Sequence, residues 1–432
     1  MKRLKVLMVG WEFPPVINGG LGVACLGLSK ALASFVDLSI ILPKTDPNFL
    51  VTDVNLIGLN NLDLATLAES ISQSYYTNIS KSVSKAEVAL NPYPGSDQSS
   101  SSILEQKNKL NSNTISSGTS NPFQVDDLYG NDILLRINQF ADYAAEVAST
   151  MDFDVIHCHD WMTFPAGIRI KEQSKKPLIT HIHSLEYDRA GPESKSWVFD
   201  IEKEAMSIAD LVIPVSNYTG SIAQDHYQIS PSKIFSVHNG VDLVEVYKER
   251  KDFPEKLVLF LGRVTGQKGP QFFLDIASKV LQHSPQVRFV MAGTGDQLRD
   301  LIENGAYKNI GTKFHFTGFL TKEKVHKLLS MTDIYCMPSV SEPFGLSALE
   351  AAQFGIPCVI SKQSGVSEVL FGALKADFWD IDKMASHIIT LLQNNSLKDA
   401  LVKDAFNDLK SCTWEKAAEK VNALYNKVSP TL

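Results

Sequence analysis

Ile334-Tyr-Cys-Met-Pro338-Ser-Val-Ser-Glu342-Pro-Phe-Gly345-Leu-Ser-Ala-Leu-Glu350 holds a strand, a loop and a helix start in one short run. The apolar residues up to Met337 read as a buried strand. Pro343 is excluded from a helix interior and Gly345 loosens the chain, so Glu342 belongs to the loop, and a helix begins at about Leu346. In open α/β sheets ligands gather beyond the carboxyl ends of the strands, which is where this loop falls. The free N–H groups of the first helical turn, from Gly345 through Leu346 to Ala348 and next to Phe344, suit an anion such as a diphosphate. Glu350 lies in a helix whose other residues are small or apolar enough for a core, so its carboxylate requires a partner. Vicinal ribose hydroxyls offer two donors; a basic residue in the core is the competing partner, with Glu342 then merely exposed.

The same strand-and-helix alternation runs outward in both directions, the pattern of parallel sheets with crossover helices. In the first half the expected strands are 6–9, 38–42, 155–158, 178–182, 211–215 and 234–237, with helices at 22–34, 133–150 and 197–209. In the second, strands are expected at 257–262, 287–292, 314–317, 334–337 and 358–361, with helices after Gly269, Asp296, Lys322, Gly345 and Ile381. The turn-forming His238-Asn239-Gly240 separates them. Two doubly wound α/β domains result, 1–245 and 246–412. A terminal helix over 413–432 carries Trp414, Ala417, Val421, Leu424 and Tyr425 on one face. The stretch 77–123, rich in Ser and Asn, lacks periodicity and reads as a surface insertion, either a plain loop or one that handles an acceptor.

A chain of 432 residues suits two domains. Its 44% hydrophobic and 21% charged residues are those of a globular protein, and a net charge of −7 argues against a general grip on nucleic acid or anionic lipid. The five cysteines are odd in number and scattered through apolar runs. They read as buried thiols in a reducing compartment, so the expected location is cytoplasmic. The amino terminus reads as a first strand, and no apolar stretch is long enough to span a membrane.

Phe260-Leu-Gly262-Arg263-Val-Thr-Gly266-Gln-Lys268-Gly269-Pro270 follows a strongly apolar strand. Two cations among glycines at the ligand end of a strand form a clamp for a departing diphosphate; a solvated surface pair is the alternative. In the first half, Gly19, Gly20 and Gly22 precede a helix, and Gly293 and Gly295 follow another strand. Cys25 and Leu298 stand where a dinucleotide fingerprint needs its third glycine, so both read as loops that approach phosphate or base. Gly318-Phe319 offers backbone groups to a base. His157-Cys158-His159-Asp160 ends one strand and His181-Ile-His183 the next. A metal site is one reading of these pairs, but along a strand Cys158 points away from both neighbouring imidazoles. No metal is expected there, and Asp160 and His183 are expected to line a cleft.

Glu342 with Glu350, Arg263 with Lys268, and Gly19-Gly20 together resemble the glycogen and starch synthase-like retaining glycosyltransferases of family four and the related family five. The resemblance spans nearly the whole chain except the Ser-rich insertion. It implies the GT-B fold, two Rossmann-like domains facing a cleft, with the terminal helix crossing back to the first. It implies a nucleotide-sugar donor, a saccharide acceptor, no cofactor and no metal. By it, Glu342 approaches the donor sugar and Glu350 the ribose, Arg263 and Lys268 hold the diphosphate with help from Gly20, and Asp160 and His183 face the reacting sugar. Ser184, where the polysaccharide synthases carry Asn, and Ser364 with Gly365, where a glycine pair is common, depart from the pattern on the acceptor side. An epimerase, an inverting transferase and a silent nucleotide-sugar-binding protein stay open as alternatives.

Overall fold

The computed structural model describes residues 3–16, 19–64, 121–124, 128–130, 132–243, 246, 251 and 253–429. Most of the insertion read from the sequence, 77–120, lies outside them. Its expected end at 123 is corrected by the fold: Phe123 is fully buried in the first core, and the Asn121 amide donates to the Leu59 and Leu62 carbonyls at 2.8 and 3.2 Å.

The first domain holds β1 (Lys5–Val9), β2 (Asp37–Leu42), β3 (Val54–Gly58), β4 (Val155–His159), β5 (Leu178–Ile182) and β6 (Leu211–Pro214). They form one parallel sheet in the order β3-β2-β1-β4-β5-β6. Its helices are α1 (Gly20–Leu32), α2 (Ile133–Ser149), α3 (Phe164–Ser174), α4 (Glu186–Ala190), α5 (Trp197–Ile208) and α6 (Asn217–Asp225). Every residue of β4 and β5 is buried, as a parallel sheet covered on both faces requires. Ser196 and Ser216 cap α5 and α6, each side chain accepting from the backbone N–H three residues on.

The second domain repeats the plan with β7 (Lys256–Leu261), β8 (Val287–Ala292), β9 (Phe314–Gly318), β10 (Ile334–Met337), β11 (Cys358–Ser361) and β12 (Ala373–Ala376), ordered β12-β11-β10-β7-β8-β9. Its helices are α7 (Pro270–His283), α8 (Leu298–Tyr307), α9 (Lys322–Met331), α10 (Leu346–Gln353), α11 (Ile381–Gln393) and α12 (Asn395–Leu409). The order reverses between β1 and β4 in one sheet and between β7 and β10 in the other, so each domain has a switch point where a crevice opens.

The last helix, α13 (Trp414–Val428), returns to the first domain. Trp414, Ala417, Ala418, Val421 and Tyr425 enter the core shared with α1 and one face of the first sheet, and Leu424 packs at its margin.

The sequence reading of 234–237 as a strand is corrected. Ile234 forms one isolated bridge to Val212, and Phe235 and Val237 donate to Val212 and Pro214 at 2.9 and 3.0 Å. Pro214 has no N–H to return, so no ladder develops. The sixth position is taken by β3, at the opposite edge.

Candidate functional site

The two switch points face each other, and the loops that leave β1, β4, β5, β7 and β10 supply the polar groups. After β10 the chain bends at Val340 and Ser341 to reach Glu342, then turns at Gly345, whose φ of 105° only glycine adopts at low cost, into α10. No side chain caps α10, which leaves first-turn amides around Leu346 open. Phe344 is part of the second core, so only its backbone is near the site.

After β7, the turn at Gly266–Lys268 brings the Lys268 Nζ to 2.5 Å from the Glu342 Oε2, and the Ser339 hydroxyl donates to the same oxygen at 3.3 Å. The two loops are tied through the backbone as well, Val340 N–H donating to the Gln267 carbonyl at 2.9 Å. Lys268 and Glu342 thus form one unit. Arg263 is exposed beside them, its guanidinium 3.4 Å from the Gln267 side-chain oxygen.

Gly293 and Gly318 meet at the ends of β8 and β9, the Gly293 N–H donating to the Gly318 carbonyl at 3.0 Å. A Cβ at Gly293 would fall 1.8 Å from the Gly262 carbonyl oxygen. Glycine is required there by the chain's own crossing. Phe319 beside Gly318 is 78% exposed.

Glu350 departs from its expected burial. Its neighbours Ala348, Leu349, Ala351 and Ala352 fill the core while Glu350 takes the outward position. It therefore needs no partner in the core. Crowding by surrounding protein still raises its carboxyl above the ordinary range, against the pull of Lys322 at the start of α9.

On the first domain, Asp160 leaves β4 in the left-handed region, φ 60°, and its Oδ1 accepts from the His183 and Ser184 N–H groups at 2.7 and 3.4 Å. Burial raises its carboxyl to about 7 despite those bonds. Asp160 and His183 are joined, with Asp160 fixing the backbone that carries His183.

Behind them four imidazoles share one sheet face. His157 Nδ1 lies 2.5 Å from the Tyr425 hydroxyl and its Nε2 3.1 Å from His181 Nδ1, while His159 Nδ1 lies 2.9 Å from His183 Nε2. Burial lowers His157 and His183 to about 3 and the other two well below the ordinary range, so all four are neutral at pH 7. Cys158 lies in the core on the opposite face, against Gly167.

The glycine loop before α1 is held by Glu12, a residue the sequence reading passed over. Its Oε2 accepts from Gly22 N–H at 3.3 Å and would lie 2.3 Å from a Cβ on Gly19, whereas Gly20 has open space. The Tyr129 hydroxyl donates to Oε1. Burial raises the Glu12 carboxyl; Tyr129, Gly22 and the charge of Arg263 across the cleft oppose it.

Asp188, Ser341 and Glu368 were also missed, and they join the domains. Ser341, next to Glu342, donates to Asp188 Oδ1 and lies 3.0 Å from the Tyr218 hydroxyl. Ser216 donates to the Pro343 carbonyl at 2.6 Å. Glu368 accepts from the N–H groups of Asn217 and Tyr218 at 3.0 and 2.7 Å and lies 2.6 Å from His238 Nε2.

Residues 5–230 match the family model described as the starch synthase catalytic domain, and residues 245–408 the one described as glycosyl transferases group 1. An uncharacterised glycosyltransferase of Methanocaldococcus jannaschii is 26% identical over 98% of each chain. A glycogen synthase of Mycobacterium tuberculosis is 23% identical over 85% of this chain and 80% of its own. Among solved structures, the catalytic domain of starch synthase IV from Arabidopsis thaliana, bound to ADP and acarbose, superposes with a TM-score of 0.69 at 15% identity over 100% of both chains. The sucrose-phosphate synthase of Thermosynechococcus elongatus gives a TM-score of 0.68 at 17% identity over 98% of both. With two facing Rossmann-like sheets and family matches across both of them, the chain belongs to the glycogen and starch synthase-like glycosyltransferases of the GT-B fold.

Proposed function

We propose that the chain is a retaining hexosyltransferase that moves glucose from ADP-glucose or UDP-glucose to a glucan or related saccharide, with no metal or cofactor in the reaction. The observation that carries this reading is the Lys268–Glu342 pair at 2.5 Å, set beside the uncapped start of α10 and the Arg263 side chain. A cation for the diphosphate and a carboxylate for the sugar hydroxyls share one point, so the glycosidic carbon of a donor is fixed between them. Lys268 and Glu342 neutralise each other in the pair; a bound donor inserts its phosphate on the cation side and its hydroxyls on the carboxylate side.

In this reading the bond from the anomeric carbon to the diphosphate oxygen breaks with its electron pair leaving on oxygen. The acceptor hydroxyl attacks from that same face and gives its proton to the departing phosphate. Lys268, Arg263 and the α10 amides stabilise the charge that develops there. His183, held by Asp160, faces the sugar from the first domain, Gly20 adds backbone to the diphosphate, and Glu350 takes the ribose. The five free cysteines, all buried, support a reducing, cytoplasmic setting.

A panel of sugar nucleotides with maltooligosaccharide acceptors, with product configuration read by NMR, tests the reading. An α-linked product from an α-linked donor is expected. A β-linked product would replace retention with inversion, an epimerised donor would indicate a different reaction, and binding without turnover or donor hydrolysis would leave a silent binding protein.

A further inference from the structure

We infer that Cys25, His159 and His183 form a binding site for a borderline-soft transition-metal ion, zinc in the first instance, roofed by α1 and reaching the cleft through His183. Cys25 Sγ and one ring nitrogen from each histidine lie within 4.8 Å of one another, and no ion is present. The thiol weighed in the sequence, Cys158, points away from these rings; Cys25 arrives from a different element, on the same face of the sheet.

Two observations favour a cation there. First, His159 Nε2 is buried and has no hydrogen-bond partner among the described residues, although a buried imidazole nitrogen ordinarily finds one. Second, the donor spacing fits. Zinc binds Cys at ~2.3 Å and His at ~2.0–2.1 Å, so tetrahedral donors stand roughly 3.3–3.6 Å apart. The donor atoms of the trio, all within 4.8 Å of one another, stand within reach of that spacing.

Binding exchanges the thiol proton for a zinc–sulfur bond, so one proton is released per ion. His183 is the partly exposed member of the trio, so the cleft is reached on its side. An ion there pins α1, and with it the glycine loop, to the ends of β4 and β5. It also captures the His183 ring, which on the proposed function faces the sugar, so zinc inhibits transfer. That consequence, unlike the site, rests on the proposed function. A second trio, His157, His159 and His181, shares His159 but is enclosed and has no thiol.

Cobalt(II) titration of the metal-free full-length chain tests the site directly. One ion per chain is expected, with a thiolate-to-cobalt charge-transfer band in the near ultraviolet that zinc bleaches. Cys25→Ser should abolish the band and weaken zinc at least about tenfold, and zinc should raise the unfolding temperature of the native chain but not of the variant. Cys358→Ser, in the other domain, should change neither. Absence of the thiolate band in the native chain overturns the site, as does a band that survives Cys25→Ser. An imidazole-only spectrum overturns it too, moving the ion to the enclosed trio. Should Cys25→Ser not fold, His159→Gln carries the same expectation, and the native spectrum alone remains decisive. None of these readouts needs a sugar nucleotide: a chain that shows the thiolate band yet turns over no donor keeps the site and refutes the proposed reaction.

Discussion

Lys268 and Glu342 illustrate how far single residues could be read. Their types and their positions after apolar strands marked both as donor-site candidates, and the fold brings them to 2.5 Å. Lys268→Ala removes a preorganised cation, and Arg263→Ala its neighbour; each should lower turnover by about 10²-fold or more. Near-normal rates in both variants would refute the diphosphate role. Glu350→Ala should behave differently, because an outward-facing carboxylate assigned to the ribose stabilises ground and transition states alike. Calorimetry should show weaker ADP or UDP binding with the maximal rate largely preserved, and unchanged affinity for both would remove Glu350 from the site. Glu12, Asp188 and Ser341 escaped the sequence reading for a physical reason. Glu12 meets Tyr129 from 117 positions away and Ser341 meets Asp188 from 153, so nothing local distinguishes them from solvated polar residues.

Among the elements, those with central positions were the legible ones. Strands such as β4, β5 and β10 are buried throughout, and their apolar runs announce them. The misses lie at sheet edges: β3 is half-exposed and β12 has four residues, only its two ends buried. The face of α13 was legible from its period, but its partner was not. That partner is α1, and the fit is close: a Cβ on Gly27 would lie 2.3 Å from the Trp414 ring. Gly27→Ala should therefore destabilise the first domain by about 1–3 kcal/mol, the usual range for overpacking, despite the better helix propensity of alanine. A smaller ring in Gly27→Ala/Trp414→Phe should recover part of the loss in denaturant unfolding. If the two substitutions simply add, this contact does not set the packing of α13 on α1. Loss of the hydroxyl in Tyr425→Phe leaves the fully buried His157 Nδ1 without its 2.5 Å partner. A cost of about 1–3 kcal/mol is expected on the same assay.

For the whole molecule, the question is what holds the two domains at one spacing, and polar contacts across the cleft gather at the loop carrying Glu342 and at Glu368 beside it. Ser341 bonds Asp188 and Tyr218, and Ser216 bonds the Pro343 carbonyl; close by, Glu368 bonds the start of α6 and His238. Asp188 makes this junction sensitive to pH. Burial raises its carboxyl from an ordinary 3.8 to about 6, and Glu342 adds to the rise; Ser341, the Leu185 N–H and Arg189 oppose it. The folded chain therefore holds this proton more tightly than the unfolded chain. The stability so contributed is fully present below about pH 4 and is lost as pH rises through about 6, at most about 3 kcal/mol in all. Asp188→Asn keeps an oxygen for Ser341 but has no proton to lose. Relative to that variant, the native chain should lose unfolding temperature steadily between pH 4 and 7 and then level off. A difference that stays flat across this range would mean that Asp188 ionises freely, and that Ser341 holds the domains together without regard to its charge. If the slope appears, donor affinity should track it, because the Ser341 hydroxyl that answers to Asp188 sits one residue from the carboxylate assigned to the sugar.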